Sequence, residues 1–154
     1  MSYVDDNLLP GEEVVYRAHL HWVIYLGSFL GILFGLVLLA AAVVLDKNVA
    51  LLATGGLILL VSFVAFFRRW LVARTSEFAV TNKRVLIKVG FVKRHSLELL
   101  LQKVEGIGVD QDLKGRMFNY GTIVVTGTGG TKEEFDNISH PLEFRKQVQA
   151  RIAG

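Results

Sequence analysis

His19 and His21 are the residues nearest the N-terminus whose spacing could do chemistry. Two positions apart on a strand, both imidazoles face one way and could begin a zinc or copper site. No third ligand lies within sequence reach, and a chain without cysteine cannot supply a thiolate. The pair therefore reads as structural, and His95 and His140 stand alone. Gly127-Thr128-Gly129-Gly130-Thr131 could cradle a phosphate on its backbone amides. Phosphate loops, however, lead from a strand into a helix whose N-terminus supplies the dipole, whereas this run joins two predicted strands and is expected to be a turn. Ser76, Ser96 and Ser139 lack a nucleophile-elbow context, and no carboxylate pair has the spacing of an acid/base couple. The expectation is a non-enzymatic chain that uses neither cofactor nor metal.

The remaining chemically active set is basic. Between Arg68 and Arg116, eleven Lys and Arg stand against five Asp and Glu, while the stretch after Thr131 is balanced. Lys83, Arg84, Lys93 and Arg94 are candidate contacts for anionic lipid headgroups, each attracted by about 1 kcal/mol near a charged membrane surface. Arg68, Arg69 and Arg74 form a membrane flank. The ordinary alternative is a positive flank plus solvated surface charges. No aromatics are interleaved as in a base-stacking platform, so nucleic acid is not an expected partner.

The elements that must position these charges are unusually apolar. The chain has 154 residues, 52% of them hydrophobic, and a net charge of +3. Trp22 to Leu45 contains no charge and at about 1.5 Å per residue exceeds a hydrocarbon core of about 30 Å. Val49 to Phe67 is a second such run, ending at Arg68 and Arg69. A cleavable signal peptide does not fit the first run, because the residues before it carry Asp5, Asp6, Glu12 and Glu13 rather than a basic region. Only Asp46, Lys47 and Asn48 separate the runs, so a tight antiparallel hairpin is expected. Arginines at the second exit place both termini in the cytoplasm by the positive-inside rule, at an inner membrane. Gly27, Gly31 and Gly35 recur every four residues and line one helix face where another backbone can approach. That face can serve homo-oligomerisation or packing against the tethered second helix, and the short turn favours the latter.

After Trp70 short β-branched runs alternate with turn residues, the mark of a small antiparallel sheet or barrel. Strands are expected near Glu77 to Thr81, Val85 to Val89, Phe91 to Glu98, Val104 to Asp110, Thr122 to Thr126 and Lys132 to Ile138. A closing helix is expected from Pro141, capped by Ser139 or His140, with Phe144, Val148 and Ile152 on one packing stripe. Glu13 to Ala18 alternates at period two and is predicted to pair with this sheet.

Ala79-Val80-Thr81-Asn82-Lys83-Arg84-Val85, then Gly90, then the run from Leu99 to Val125 with its Tyr120-Gly121-Thr122, resembles the membrane-anchored bacterial PH-domain family, whose hallmarks are a Thr-x-x-Arg hairpin and a Tyr-Gly-Thr element. Leu9-Pro10-Gly11-Glu12-Glu13 and Leu20-His21-Trp22 are similar to that family too. The resemblance implies a PH-like split β-barrel of about seven strands with a C-terminal capping helix; with the two-helix transmembrane hairpin the expected fold is an α+β membrane protein, and pairing of Glu13 to Ala18 with the sheet would make the hairpin an insertion within the domain. The expected division is 1–21, an N-terminal cytoplasmic segment with one strand; 22–69, the hairpin; and 70–154, the cytoplasmic PH-like domain. The expected function is docking or organising partner proteins at the cytoplasmic face, with membrane lipids and a protein partner or a second copy as the partners. Anionic-lipid sensing, or service as an accessory subunit of a larger membrane complex, are the alternatives.

Overall fold

A computed structural model of the protein describes residues 3–45, 48–91 and 95–152. The elements run α1 (Tyr3–Asp6), β1 (Val14–Ala18), α2 (Leu26–Val44), α3 (Val49–Thr75), β2 (Glu77–Thr81), β3 (Arg84–Val89), β4 (His95–Leu100), β5 (Val104–Asp110), α4 (Leu113–Phe118), β6 (Tyr120–Gly127), β7 (Lys132–Ser139) and α5 (Pro141–Ile152). The chain divides into two compact units, one of residues 1–21 and 75–154 and one of residues 22–74.

The sheet unit holds two antiparallel sheets, ordered β1-β2-β3-β4 and β5-β6-β7. β1 is the strand expected from Glu13 to Ala18, and it pairs with β2 across a gap of nearly sixty residues. Alternation sends Phe78, Val80, Val85 and Ile87 inward, where they meet Ile107, Ile123, Val125, Phe135 and Ile138 of the second sheet. α5 adds Phe144 and Val148, both fully buried. Ile152, expected on the same stripe, is exposed, because the stripe runs past the sheets before the helix ends. His140 has φ 53° and offers its carbonyl to the N–H groups of Glu143 and Phe144 at the start of α5.

β2 and β3 are also covered on their outer face, which alternation alone would leave wet. Val4 packs there on Ala79 and Leu86, with Leu8 and Val14 beside them. α1 is only one turn, too short to form on propensity. Both Glu77 carboxylate oxygens accept from its first amides, Tyr3 N and Val4 N, each at 2.9 Å, so a strand residue 73 positions away caps it.

The helical unit comprises two helices long and apolar enough to cross a membrane, with only 17% and 6% of their apolar windows buried. A core helix of a soluble domain would be mostly buried instead. α3 does not stop at Phe67 but continues to Thr75. Charge ends an apolar run without breaking a helix, and these arginines find partners: Arg69 donates to the Ile24 carbonyl at 2.8 Å and to Ser28 Oγ at 3.3 Å, and Arg74 lies 5.4 Å over the Trp70 ring. Asp46 and Lys47 of the expected turn lie outside the described residues.

The glycine face of α2 meets α3 of the same chain. A Cβ on Gly31 would collide with Ser62 Oγ, and one on Gly35 would lie 2.8 Å from Leu59 Cγ and 3.2 Å from the Gly55 carbonyl oxygen. One on Gly27 would meet Arg69 at 3.2 Å. Gly55 faces the stripe from α3, whereas Gly56 opens onto nothing within 4 Å.

Candidate functional site

The Thr-x-x-Arg hairpin, Thr81 to Arg84, closes over the N-terminal segment and builds a buried ionic cluster. Arg84 is 9% exposed. Its Nε and one terminal nitrogen donate to the two Glu12 oxygens at 2.9 and 3.1 Å, the second also to the Asn7 carbonyl at 2.6 Å. The other terminal nitrogen donates to Glu98 at 2.6 Å. Thr81 Oγ1 lies 2.7 Å from Glu12 and accepts from the backbone N–H of Lys83 and Arg84. Tyr3 donates its hydroxyl to Glu98. Lys83 Nζ donates to the Pro10 carbonyl at 2.8 Å, and Asn82 donates its amide to Gly11 and accepts from Glu13 N–H. Gly11, at φ 71°, turns the chain where a side chain would strain it.

Arg84 is therefore committed inside the protein, and its burial leaves little surface for a headgroup. Lys83, exposed, is tied to the N-terminal loop. Val14 opposes Thr81 while Ala18 opposes Phe78, so this hairpin lies at the end of the sheet opposite to where the chain leaves toward α2 and arrives from α3. β2 alone separates the two ends by about 16 Å at about 3.3 Å per residue. Lys93 and Arg94 lie outside the described residues, following Gly90, whose N–H donates to Ser76 Oγ. Of the four cations assembled by sequence, Lys83 and Arg84 thus lie at the end of the sheet away from the chain exit. Charge count alone carried no information about register, and Glu12, seventy positions upstream, had no signal beyond its place in Leu9-Pro10-Gly11-Glu12-Glu13.

Burial pushes the Glu12 carboxyl up, but the hydrogen bonds from Arg84, Leu9 N–H and Thr81 and the Arg84 charge outweigh it, so the group lies below its ordinary 4.5. Arg84 is raised by its hydrogen bond to Glu12 despite burial.

His21 is buried, stacked 5.2 Å from the Tyr120 ring, and linked by a hydrogen bond to the Phe118 backbone. Burial, then the nearby His140, pull it below its ordinary 6.5. Packing accounts for it, and His19 is exposed. Among the described residues no three His, Cys, Asp or Glu converge as metal ligands.

Both groups have the same sign of linkage. A carboxyl and an imidazole depressed in the folded state favour folding above their unfolded values and lose that stabilisation as pH falls through the folded ones. Stability should decline from about pH 6.5 downward and more steeply below 4.5. His21→Gln should flatten the upper part of the decline, measured as the urea midpoint at successive pH values; an unaltered slope there would remove His21 as its source.

The second motif, Tyr120-Gly121-Thr122, is explained by close approach. A Cβ on Gly121 would stand 2.6 Å from the Asp110 carbonyl oxygen and 2.7 Å from the Gln111 side chain. Gln111 donates to the Tyr120 carbonyl at 2.8 Å, and Asp112 caps α4 by accepting from Gly115 N–H at 2.6 Å. Gly121→Ala should cost about 1–3 kcal/mol by overpacking, read from thermal unfolding of the full chain. These strand ends border a shallow polar cleft of about 670 Å3 lined by Asp110, Gln111, Asp112, Tyr120, Asp136 and Asn137. Gly127 to Thr131 is a hairpin turn between β6 and β7, with Gly129 and Gly130 at φ 104° and 77°.

Comparison with curated proteins and with solved structures returns no match. One family model does match, described as bacterial PH domain, over residues 22–152. The match takes in the helical unit together with the Thr81–Arg84 hairpin and Tyr120-Gly121-Thr122, and begins just after the segment that supplies Glu12 and β1. With most of its length matched, this chain belongs to the bacterial PH domain family.

Proposed function

We propose that the chain is a non-enzymatic, membrane-anchored module that docks or organises partner proteins at the cytoplasmic face of the membrane. The observation that carries this reading is the joining, in one chain, of a PH-like sheet unit with two helices long and apolar enough to span a bilayer. Family membership favours a binding module over a catalyst. Both helices are inserted in the sheet unit between β1 and β2, so the tethers are short on both sides. Such a tether raises the effective concentration of a weak binding surface for anything else confined to the membrane.

Within the sheet unit a peptide would add most cheaply at β5. That strand pairs only with β6 in its three-stranded sheet and has α5 packed against it. Added backbone hydrogen bonds would supply affinity, and side chains against α5 would supply selectivity. The test is photo-crosslinking of the full chain in cells from a probe at Glu105, exposed on β5, against one at Thr128 in the β6–β7 turn. A protein adduct of defined mass from Glu105 alone is the expected result. Equal adducts at both positions, or none, would refute docking at this edge. Native mass spectrometry of the chain in its own lipids then reads whether the adduct is a second copy.

A further inference from the structure

Leu113 and Met117, four apart on α4 and so on one helix face, are each 79% exposed. Phe118 and, in the first turn of α5, Leu142 add half-exposed apolar surface. α4 and the start of α5 are joined, since His140 N–H donates to the carbonyl of Asn119, the α4 cap. Lys114 and Arg116 flank the Leu113–Met117 face on either side, and α4 itself carries no carboxylate. Asp112, next to it, is engaged in capping Gly115. An apolar ridge with basic shoulders is the pattern of an interfacial membrane helix, in miniature.

Its position in the sheet unit says what such a ridge would meet. His21 hydrogen-bonds to the backbone of Phe118 and stacks on Tyr120, so the end of α4 is fastened to the residue immediately before Trp22. Trp22 begins the first span-length apolar segment. The ridge therefore lies at the point where the chain passes from the sheet unit into its hydrophobic segment, whereas Lys83 and Arg84 lie at the opposite end of β2 and β3.

We propose that α4 is a lipid-contacting element: Leu113 and Met117 enter the headgroup–acyl boundary of the bilayer while Lys114 and Arg116 meet anionic headgroups. This rests on the membrane-anchored reading above. The contact would limit the rotation of the sheet unit about its tethers and so set which face of it is offered to partners.

The chain has no native cysteine, so single labels are unambiguous. The full chain would be reconstituted in vesicles of phosphatidylcholine and phosphatidylglycerol, with an environment-sensitive fluorophore at Met117→Cys, Lys83→Cys or Leu60→Cys, the last on the exposed face of α3. Lipid-borne nitroxides should quench the label at 117 about threefold more than at 83, as expected for a side chain buried about 5–10 Å into the headgroup–acyl boundary. Leu113→Cys, equally exposed, repeats the measurement should the first label perturb the fold. Lys114→Glu with Arg116→Glu should reduce quenching at 117 in these vesicles and leave it unchanged at 60. Quenching at 60 with none at 113 or 117 overturns this inference and leaves the anchoring intact; absence of quenching at 60 as well overturns both. Shielding of 117 from aqueous iodide without lipid quenching would likewise overturn it, in favour of a protein covering the ridge.

Discussion

Replacing Arg84 by methionine should destabilise the sheet unit by about 3–5 kcal/mol, the cost of stranding a buried carboxylate when its partner is removed. Glu12 is 6% exposed and would keep only the hydrogen bonds from Thr81 and Leu9 N–H. The loss should be far smaller in the double variant Glu12→Leu with Arg84→Met, since an apolar pair of similar volume carries no orphaned charge. A double-mutant cycle on the full chain, by urea unfolding in a mild detergent, isolates the coupling. The same experiment separates the two roles available to this arginine. A headgroup ligand would lose vesicle binding on substitution and keep its unfolding midpoint; a clamp for the N-terminal segment would lose the midpoint. A single-variant loss below about 1 kcal/mol would show that the ion pair is solvated rather than buried. Because Arg84 also holds the Asn7 carbonyl, proteolysis in the first ten residues should accelerate in step with the lost stability.

Gly35→Leu should cost the helical unit about 1–3 kcal/mol or more, at the upper end of overpacking penalties. The added side chain meets Leu59 and the backbone carbonyl of Gly55, and a Cβ on Gly55 would in turn stand 3.1 Å from the Gly35 carbonyl oxygen, so the two backbones are close enough that neither can yield without separating the helices. Gly31→Leu meets Ser62, whose hydroxyl can rotate away, and should cost less. Gly56→Leu points into open space and serves as the neutral control. The measurement is resistance to dodecyl sulfate titration, followed by helicity, with subunit number read in parallel by native mass spectrometry. A glycine face used within the hairpin lowers resistance at unchanged subunit number; loss of an oligomer at unchanged resistance would assign the stripe to contacts between chains.

Most strands were legible because a half-buried sheet writes its period into the chain. Phe78 and Val80 inward against Ala79 and Thr81 outward is such a record, and β2, β5 and β7 begin where alternation begins. The expected strand Phe91 to Glu98 overlaps β4, His95–Leu100, which runs two residues further; Phe91 itself is exposed outside it, and residues 92–94 lie outside the described residues. α1 and α4 left no periodic trace. Four and six residues are too few to show a helical repeat, and both depend on caps, Glu77 for α1 and Asp112 for α4, of which only the second is local. The length of α3 was underestimated for a different reason. Hydropathy reports where lipid-compatible residues stop, whereas a helix stops where its backbone loses a partner.

Residue types and their order alone determined that this chain carries two span-length apolar helices joined by a few residues, an antiparallel β unit closed by a helix, and a family hairpin at Thr81 to Arg84, since each of these is a local pattern repeated over a full element. What Arg84 does was a tertiary decision. A basic residue on a turn reads as a surface charge until Glu12, brought back by β1, is placed 2.9 Å from it. Likewise Lys83 with Arg84 falls at the far end of the sheet only because β1 to β3 set the register, a property of pairing between strands that is absent from either strand by itself, and the end of α4 is placed beside His21 by its contacts with Phe118 and Tyr120.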